Sequence, residues 1–187
     1  LDKMVLDGKT LRLRLREARR RWAKRLTVAS LGALVKRTTE SGERVVRLLF
    51  DGSPGLDLNS RMRQRDAVTL PLAKDIARVA RALAGRGGGA YALATDAKDA
   101  HQLIMVAPEG WPLQACAVDP LDAPGGEEAD VYVHKVGTYG ICTIAYWFGV
   151  LMATAGRTYY LVLAEHCVDW LLVYADDLLC LAGGPRF

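Results

Sequence analysis

Trp170-Leu171-Leu172-Val173-Tyr174-Ala175-Asp176-Asp177-Leu178-Leu179-Cys180-Leu181 sets two adjacent carboxylates between two apolar runs. The runs read as strands and the polar pair as the turn joining them. Burying unpaired charge costs on the order of several kcal/mol. Either a hairpin turn exposes Asp176 and Asp177 to water, as the turn preference of Asp allows, or something compensates them. A second apolar run, Tyr91 to Thr95, also ends in a carboxylate, Asp96, with Asp99 close behind. It reads as a short buried strand. Two strand ends that bring carboxylates together make an oxygen-rich site of the kind that binds Mg²⁺.

The rest of the chain sets the scale. Its 187 residues, 51% apolar and 25% charged, suffice for one domain or two small lobes and exclude a disordered tail, a collagen-like fibre or a disulfide-dense mini-protein. The chain opens on Leu1, stops soon after the carboxylate pair, and reads as a fragment. The net charge of +4 hides an asymmetry: residues 1–50 carry 14 Lys and Arg against 5 Asp and Glu, a net of +9, and the remainder carries 11 against 16, a net of −5. Such a split suits a polyanion on one half and a divalent metal on the other. Cys116, Cys142, Cys167 and Cys180 are widely spaced, as reduced core cysteines of an intracellular protein, cytoplasmic or nuclear, would be. No signal peptide opens the chain. Residues 136–156 are uncharged and long enough to span a membrane. Gly137, Gly140, Gly149 and Gly156, with three threonines, point instead to a buried helix after a turn.

Apolar residues three and four apart from Leu11 to Ala33 predict an amphipathic helix over residues 10–35, with arginines on its other faces as either a solvated surface or a grip on a polyanion. Arg44 to Phe50 predicts a strand. Pro71 opens a helix to Ala84, with Leu72, Ile76, Val79 and Leu83 as its buried stripe. Strands are expected near residues 103–106, 113–118 and 131–136, then a helix from about Gly140 to Cys167 with a break near Gly156. Trp147 reads as a core aromatic, and Trp111, His134 and His166 as structural. Gly8-Lys9-Thr10 lacks the upstream glycine of a phosphate-binding loop, and the glycines at 85–89 read as a connector. The pattern is α+β, a sheet with helices on one side rather than a doubly wound parallel sheet.

Tyr174-Ala175-Asp176-Asp177 is similar to the tyrosine-x-Asp-Asp motif of reverse transcriptases, and Asp96-Ala97-Lys98-Asp99-Ala100 resembles the family's first catalytic motif. Tyr139-Gly140-Ile141-Cys142-Thr143-Ile144-Ala145-Tyr146-Trp147-Phe148 resembles the turn and helix that support template and incoming nucleotide. Arg47-Leu48-Leu49-Phe50-Asp51 with Leu58-Asn59 resembles the fingers motif whose arginine contacts the triphosphate, with Lys36 and Arg37 at its basic entry. The four motifs fall in the family's order across roughly residues 35–182.

The resemblance implies a right-hand polymerase without its thumb. A basic helical leader would occupy residues 1–34, fingers 35–71 and 104–143, and palm, an antiparallel sheet backed by helices, 72–103 and 144–187. Asp96 and Asp176 would hold two Mg²⁺ ions, or Mn²⁺, with Asp177 completing the cluster. Arg47, helped by Lys36 or Arg37, would pair with phosphates, and Tyr139 and Gly140 would line the nucleotide pocket. His101 stands where the family usually has an aromatic that blocks the ribose 2′-hydroxyl, and Ala145 where it usually has proline. The partners implied are an RNA template, a DNA primer and deoxynucleoside triphosphates, with no membrane. The rival expectation is an inactive remnant that only binds nucleic acid. An RNA-templated RNA polymerase would more commonly carry Gly-Asp-Asp.

Overall fold

Alternation rather than helical period governs the amino-terminal segment. The computed structural model describes residues 1–52, 56–63, 66, 68–85, 90–118, 126–163 and 169–183. Its elements run α1 (Asp2–Leu6), β1 (Thr10–Arg14), α2 (Leu15–Trp22), β2 (Val28–Thr38), β3 (Arg44–Asp51), α3 (Ala73–Ala84), β4 (Ala90–Asp96), β5 (Ala115–Ala117), β6 (Asp130–His134), α4 (Cys142–Leu163), β7 (Trp170–Tyr174) and β8 (Asp177–Gly183), with short 3-10 turns between some of them. The helix expected over residues 10–35 is thereby corrected to strand, helix and strand, and the helical leader over 1–34 to helix, strand, helix and strand. Leu11 and Leu13 are partly buried while Arg12 and Arg14 are exposed, a period of two. The helix spans only Leu15–Trp22 and stops where Ala23 turns to φ +46°. Pairing along the whole of β1 with β6, from Thr10 opposite His134 to Arg14 opposite Asp130, outweighs the local helical spacing.

The architecture is α+β in two units, residues 1–63 with 101–144 and residues 64–100 with 145–187. The first holds a mixed five-stranded sheet in the order β1-β6-β5-β2-β3, in which β2 and β5 run parallel and the other pairs antiparallel. Phe50, Leu58, Cys116, Tyr132, Ile141 and Ile144 form one buried cluster, and Leu15, Ala115, Val131 and Val133 another. The second unit holds an antiparallel sheet in the order β4-β8-β7. Val79 and Leu83 of α3 pack on Leu181, with Leu172 and Leu179 beside them. The Asp75 carboxylate accepts the Leu72 N–H at 2.8 Å and closes the start of α3. At the β7 edge the Tyr160 hydroxyl of α4 accepts the Leu171 N–H at 2.5 Å, satisfying a backbone donor on an edge strand.

Several local readings change. Residues 100–103 form a 3-10 turn, and a single bridge between Met105 and Val136 replaces the strand expected at 103–106. Helix α4 runs unbroken through Gly156. Strand β4 is exposed along its length, and in α3 only Val79 and Leu83 are buried while Leu72 and Ile76 face solvent. Trp147, expected in the core, is 54% exposed and packs edge-on to Tyr146. No helix among the described residues is long and apolar enough to cross a membrane. Cys116, Cys142 and Cys180 are free thiols. His166, Cys167 and the glycines at 87–89 lie outside the described residues.

The basic segment finds much of its counter-charge within its own unit. Arg12 and Arg14 both reach Asp130, the latter at 3.1 Å, Arg16 reaches Glu128 at 2.7 Å, and Arg19 pairs with Glu127. The hydrogen bond from Arg12 holds the Asp130 carboxyl below its ordinary range. A phosphate backbone approaching these guanidiniums would compete with carboxylates already seated on them.

Candidate active site

The sequence-predicted residues divide between the two units, and each group takes its geometry from its own unit. In the second unit the backbone brings Asp96, Asp176 and Asp177 to one corner of the sheet. β7 and β8 join through the two-residue turn Ala175-Asp176, closed by Tyr174 opposite Asp177. On its other side Asp177 stands directly opposite Asp96, the last residue of β4. The Ala97 N–H donates to the Asp176 carbonyl oxygen at 2.9 Å, which ties the end of β4 to the hairpin turn. Directly opposed residues of an antiparallel pair share a face with Cβ atoms about 4.5–5.5 Å apart. Asp96 and Asp177 are thus like charges at close quarters.

Their exposure answers the question posed by the apolar flanks. Asp96 and Asp177 are exposed and Asp176 is half-buried, so water compensates them and no charge is buried. No three His, Cys, Asp or Glu side chains among the described residues gather tightly enough to hold a metal by themselves. An open pair of opposed carboxylates nevertheless fits Mg²⁺, which usually takes one or two carboxylates and completes its shell with water and substrate phosphates. Binding there would also relieve the repulsion across β4 and β8.

The turn that presents Asp176 is strained. Ala175 sits at φ +52°, a region costing a residue with a Cβ about 1–2 kcal/mol relative to glycine. Ala175→Gly is therefore expected to stabilise the protein by about 1 kcal/mol, read as a raised urea midpoint at unchanged slope. A lowered midpoint would show that the turn is not strained in solution.

In the first unit β2 and β3 form a solvated ribbon that carries Lys36, Arg37 and Arg47. Arg47 is paired with Leu34, and Val45 with Arg37, the register slipping between Val35 and Arg37. Lys36 is the extra residue of this bulge. The slip brings Arg37 to the face shared by Val45 and Arg47, whereas an unbroken register would set it on the opposite one. At the base of the ribbon lies a cavity of about 220 Å³, whose walls include Arg47, Phe50, Gln102, His134, Thr138 and Tyr139. Arg47 and Tyr139 thus share one cavity, and the His101 ring lies against Tyr139 with centroids 4.2 Å apart and planes at 41°. Lys36 and Arg37 are exposed farther out on the ribbon and are not among the cavity's walls. Gly140 takes φ +92°, and a Cβ there would strike the Phe50 carbonyl oxygen, so only glycine fits.

Sequence reasoning gave no role to Gln102, Thr138 or Asn59. Gln102 follows His101 directly and accepts a hydrogen bond from the Lys9 ammonium at 2.9 Å. Asn59 stands in the quoted Leu58-Asn59 pair, and it is the one with a sequence signal.

A buried polar cluster underlies the same cavity. His134 shares a hydrogen bond with Thr10 Oγ1 through Nδ1 at 3.0 Å, and its Nε2 lies 3.5 Å from Cys116 Sγ. The spacing is that of a cysteine nucleophile and its base. Burial decides otherwise, pushing the Cys116 thiol up to about 12 and the His134 imidazole down to about 4. Both groups are neutral at pH 7, so Cys116 is a structural thiol. Neither a protein-family model nor a curated protein matches this chain.

Proposed function

We propose that the chain is the polymerase part of a reverse transcriptase, an RNA-directed DNA polymerase that adds deoxynucleotides to a primer 3′-hydroxyl. The observation that carries this reading is the meeting of two motifs far apart in sequence. Asp96 ends one strand, Asp176-Asp177 turns a hairpin, and the register sets Asp96 against Asp177 with the Asp176 carbonyl bonded to Ala97. On this reading the second unit is the palm, the first is the fingers, and the fold is that of a right-hand polymerase.

The residues then have separate tasks. Asp96, Asp176 and Asp177 would hold two Mg²⁺ ions, which when bound supply charge neutralisation at the transferring phosphoryl group. Arg47 offers a planar fork to phosphate oxygens, and the bulge at Lys36 keeps Arg37 on the same face to assist. Tyr139 belongs to the cavity wall against which a nucleotide would lie, with Gly140 next to it in the turn, outside the cavity's walls, and the His101 ring against Tyr139. Most of the rate enhancement would come from positioning and electrostatics.

Primer extension on an RNA template with a DNA primer and Mg²⁺ tests the reading. Template-dependent incorporation of deoxynucleotides supports it, and template binding with no incorporation favours the remnant that only binds nucleic acid. The exposure of Asp96 and Asp177 to water is the observation on the side of that second reading.

His101 makes a sharper expectation. An imidazole is smaller and more polar than the aromatic usual at that place, and here its ring lies against Tyr139. His101→Tyr is expected to raise the preference for deoxy- over ribonucleotides by about 10-fold or more in kcat/KM, the scale of one filled or emptied steric contact. An unchanged ratio would show that residue 101 does not face the sugar.

A further inference from the structure

We infer that Asn59 is a positioning residue for the nucleotide pocket, setting the place of Tyr139 through the backbone of the turn that carries it; this rests on the polymerase reading. The Asn59 amide uses both of its ends on one short segment. Its Nδ2 donates to the Gly140 carbonyl at 2.8 Å, and its Oδ1 accepts the N–H of Cys142 at 3.0 Å. Cys142 is the first residue of α4, so that N–H is one of the donors a helix start leaves without an intrahelical partner. The turn is pinned from the other side as well, because Gly140 at φ +92° lies against the Phe50 carbonyl oxygen so closely that no Cβ could intervene. Phe50 belongs to the strand that carries Arg47, and Arg47 and Tyr139 line the same cavity. The turn that carries Tyr139 is thus held between β3 and Asn59.

The chemistry requires an amide. A donor and an acceptor must act at once on a carbonyl and an N–H two residues apart, which a carboxylate cannot do. Asn59→Asp keeps the volume and the bond from Cys142, and turns a second oxygen toward the Gly140 carbonyl. The turn would shift at Gly140 while the start of α4 stays capped. Asn59→Ala releases both.

The test uses the whole chain, with dTTP as the probe, in two independent measurements. Amide hydrogen exchange at Cys142 should accelerate about 10-fold or more in Asn59→Ala and stay near the parent rate in Asn59→Asp. Equilibrium binding of dTTP should weaken about 10-fold in both variants, and in primer extension the KM for dTTP should rise by a similar factor while kcat changes less than about 2-fold, since the interaction serves binding rather than the transition state. Unchanged exchange at Cys142 in Asn59→Ala overturns the inference whatever the enzymology. So does faster exchange with dTTP affinity intact, which would make Asn59 structural only. A parent protein that binds dTTP but extends no primer defeats the polymerase reading and leaves the Asn59 inference standing on the binding data. A parent that binds no dTTP defeats both.

Discussion

Asp176→Asn is expected to fold as the parent does and to lose primer extension by on the order of 10³-fold. The substitution keeps the side-chain volume. The bond that ties the corner together runs from the Ala97 N–H to the backbone carbonyl of residue 176, so it survives the exchange. Asp176 is half-buried at the tip of a two-residue turn, where a neutral amide is solvated as easily as a carboxylate. What changes is charge and donor chemistry: a hard divalent cation binds a carboxylate far better than an amide. The measurement is single-turnover extension of a DNA primer on an RNA template in Mg²⁺, with template affinity and the urea midpoint recorded beside it. A variant that retains half of the parent rate would remove Asp176 from the reaction. A collapse of the midpoint would show instead that the carboxylate holds the hairpin.

The second large effect lies in the first unit and concerns acid. Burial holds the His134 imidazole down to about 4, from about 6.5 in an unfolded chain. The folded protein therefore resists a proton that the unfolded chain accepts. The sign follows: the contribution of neutral His134 is complete above pH 6.5 and is lost as pH falls from 6.5 toward 4. A depression of this size corresponds to about 3 kcal/mol over that window. Asp130, whose carboxyl is also held low, titrates below its ordinary value near 3.8, so its loss adds only under more acid conditions. Urea midpoints between pH 7.5 and 4 should fall steeply in the parent protein. In His134→Gln they should start lower, because the bonds to Thr10 and Cys116 are altered, and vary less with pH. Parallel curves for the two proteins would place the acid sensitivity elsewhere.

What could be read from residues alone depended on whether the deciding interaction was local. The Trp170 to Leu181 hairpin was legible because two apolar runs flank a polar pair with turn chemistry. The ends of α3 were legible from Pro71, Ala84 and the following glycine, within two residues of the observed start. The amino-terminal segment misled because Leu11, Leu15 and Ala18 satisfy a helical spacing while Thr10 to Arg14 also alternate, and the choice belongs to β6, which lies far along the chain. Nothing in the sequence marks Ala23 for a positive φ. Strand β4 looked buried because it is apolar, yet Leu93 is 61% exposed; apolar composition predicts a strand more securely than it predicts what covers it.

The candidate site followed the same division. Residue types and order singled out Asp96, Asp176, Asp177, Arg47, Tyr139 and His101, since each carries its chemistry in its own side chain. The face on which Arg37 lies depended on a one-residue bulge, which no residue type announces. The part played by Asn59 depended on a backbone carbonyl and N–H whose positions only the folded turn defines.

The sheet order of the first unit has a consequence for synthesis. Strand β1 waits for β6, and β2 takes β5 as its parallel neighbour, while in the second unit β4 waits for β8. A ribosome that has released the first hundred residues has delivered a single strand pair able to close, β2 with β3. At 5–20 residues per second, roughly the rate of translation, the nascent chain spends several seconds with β1 and β4 unpartnered. Both units close late and through distant pairings, the kind that fold slowly. Protection by a chaperone during elongation should therefore raise the yield of native protein.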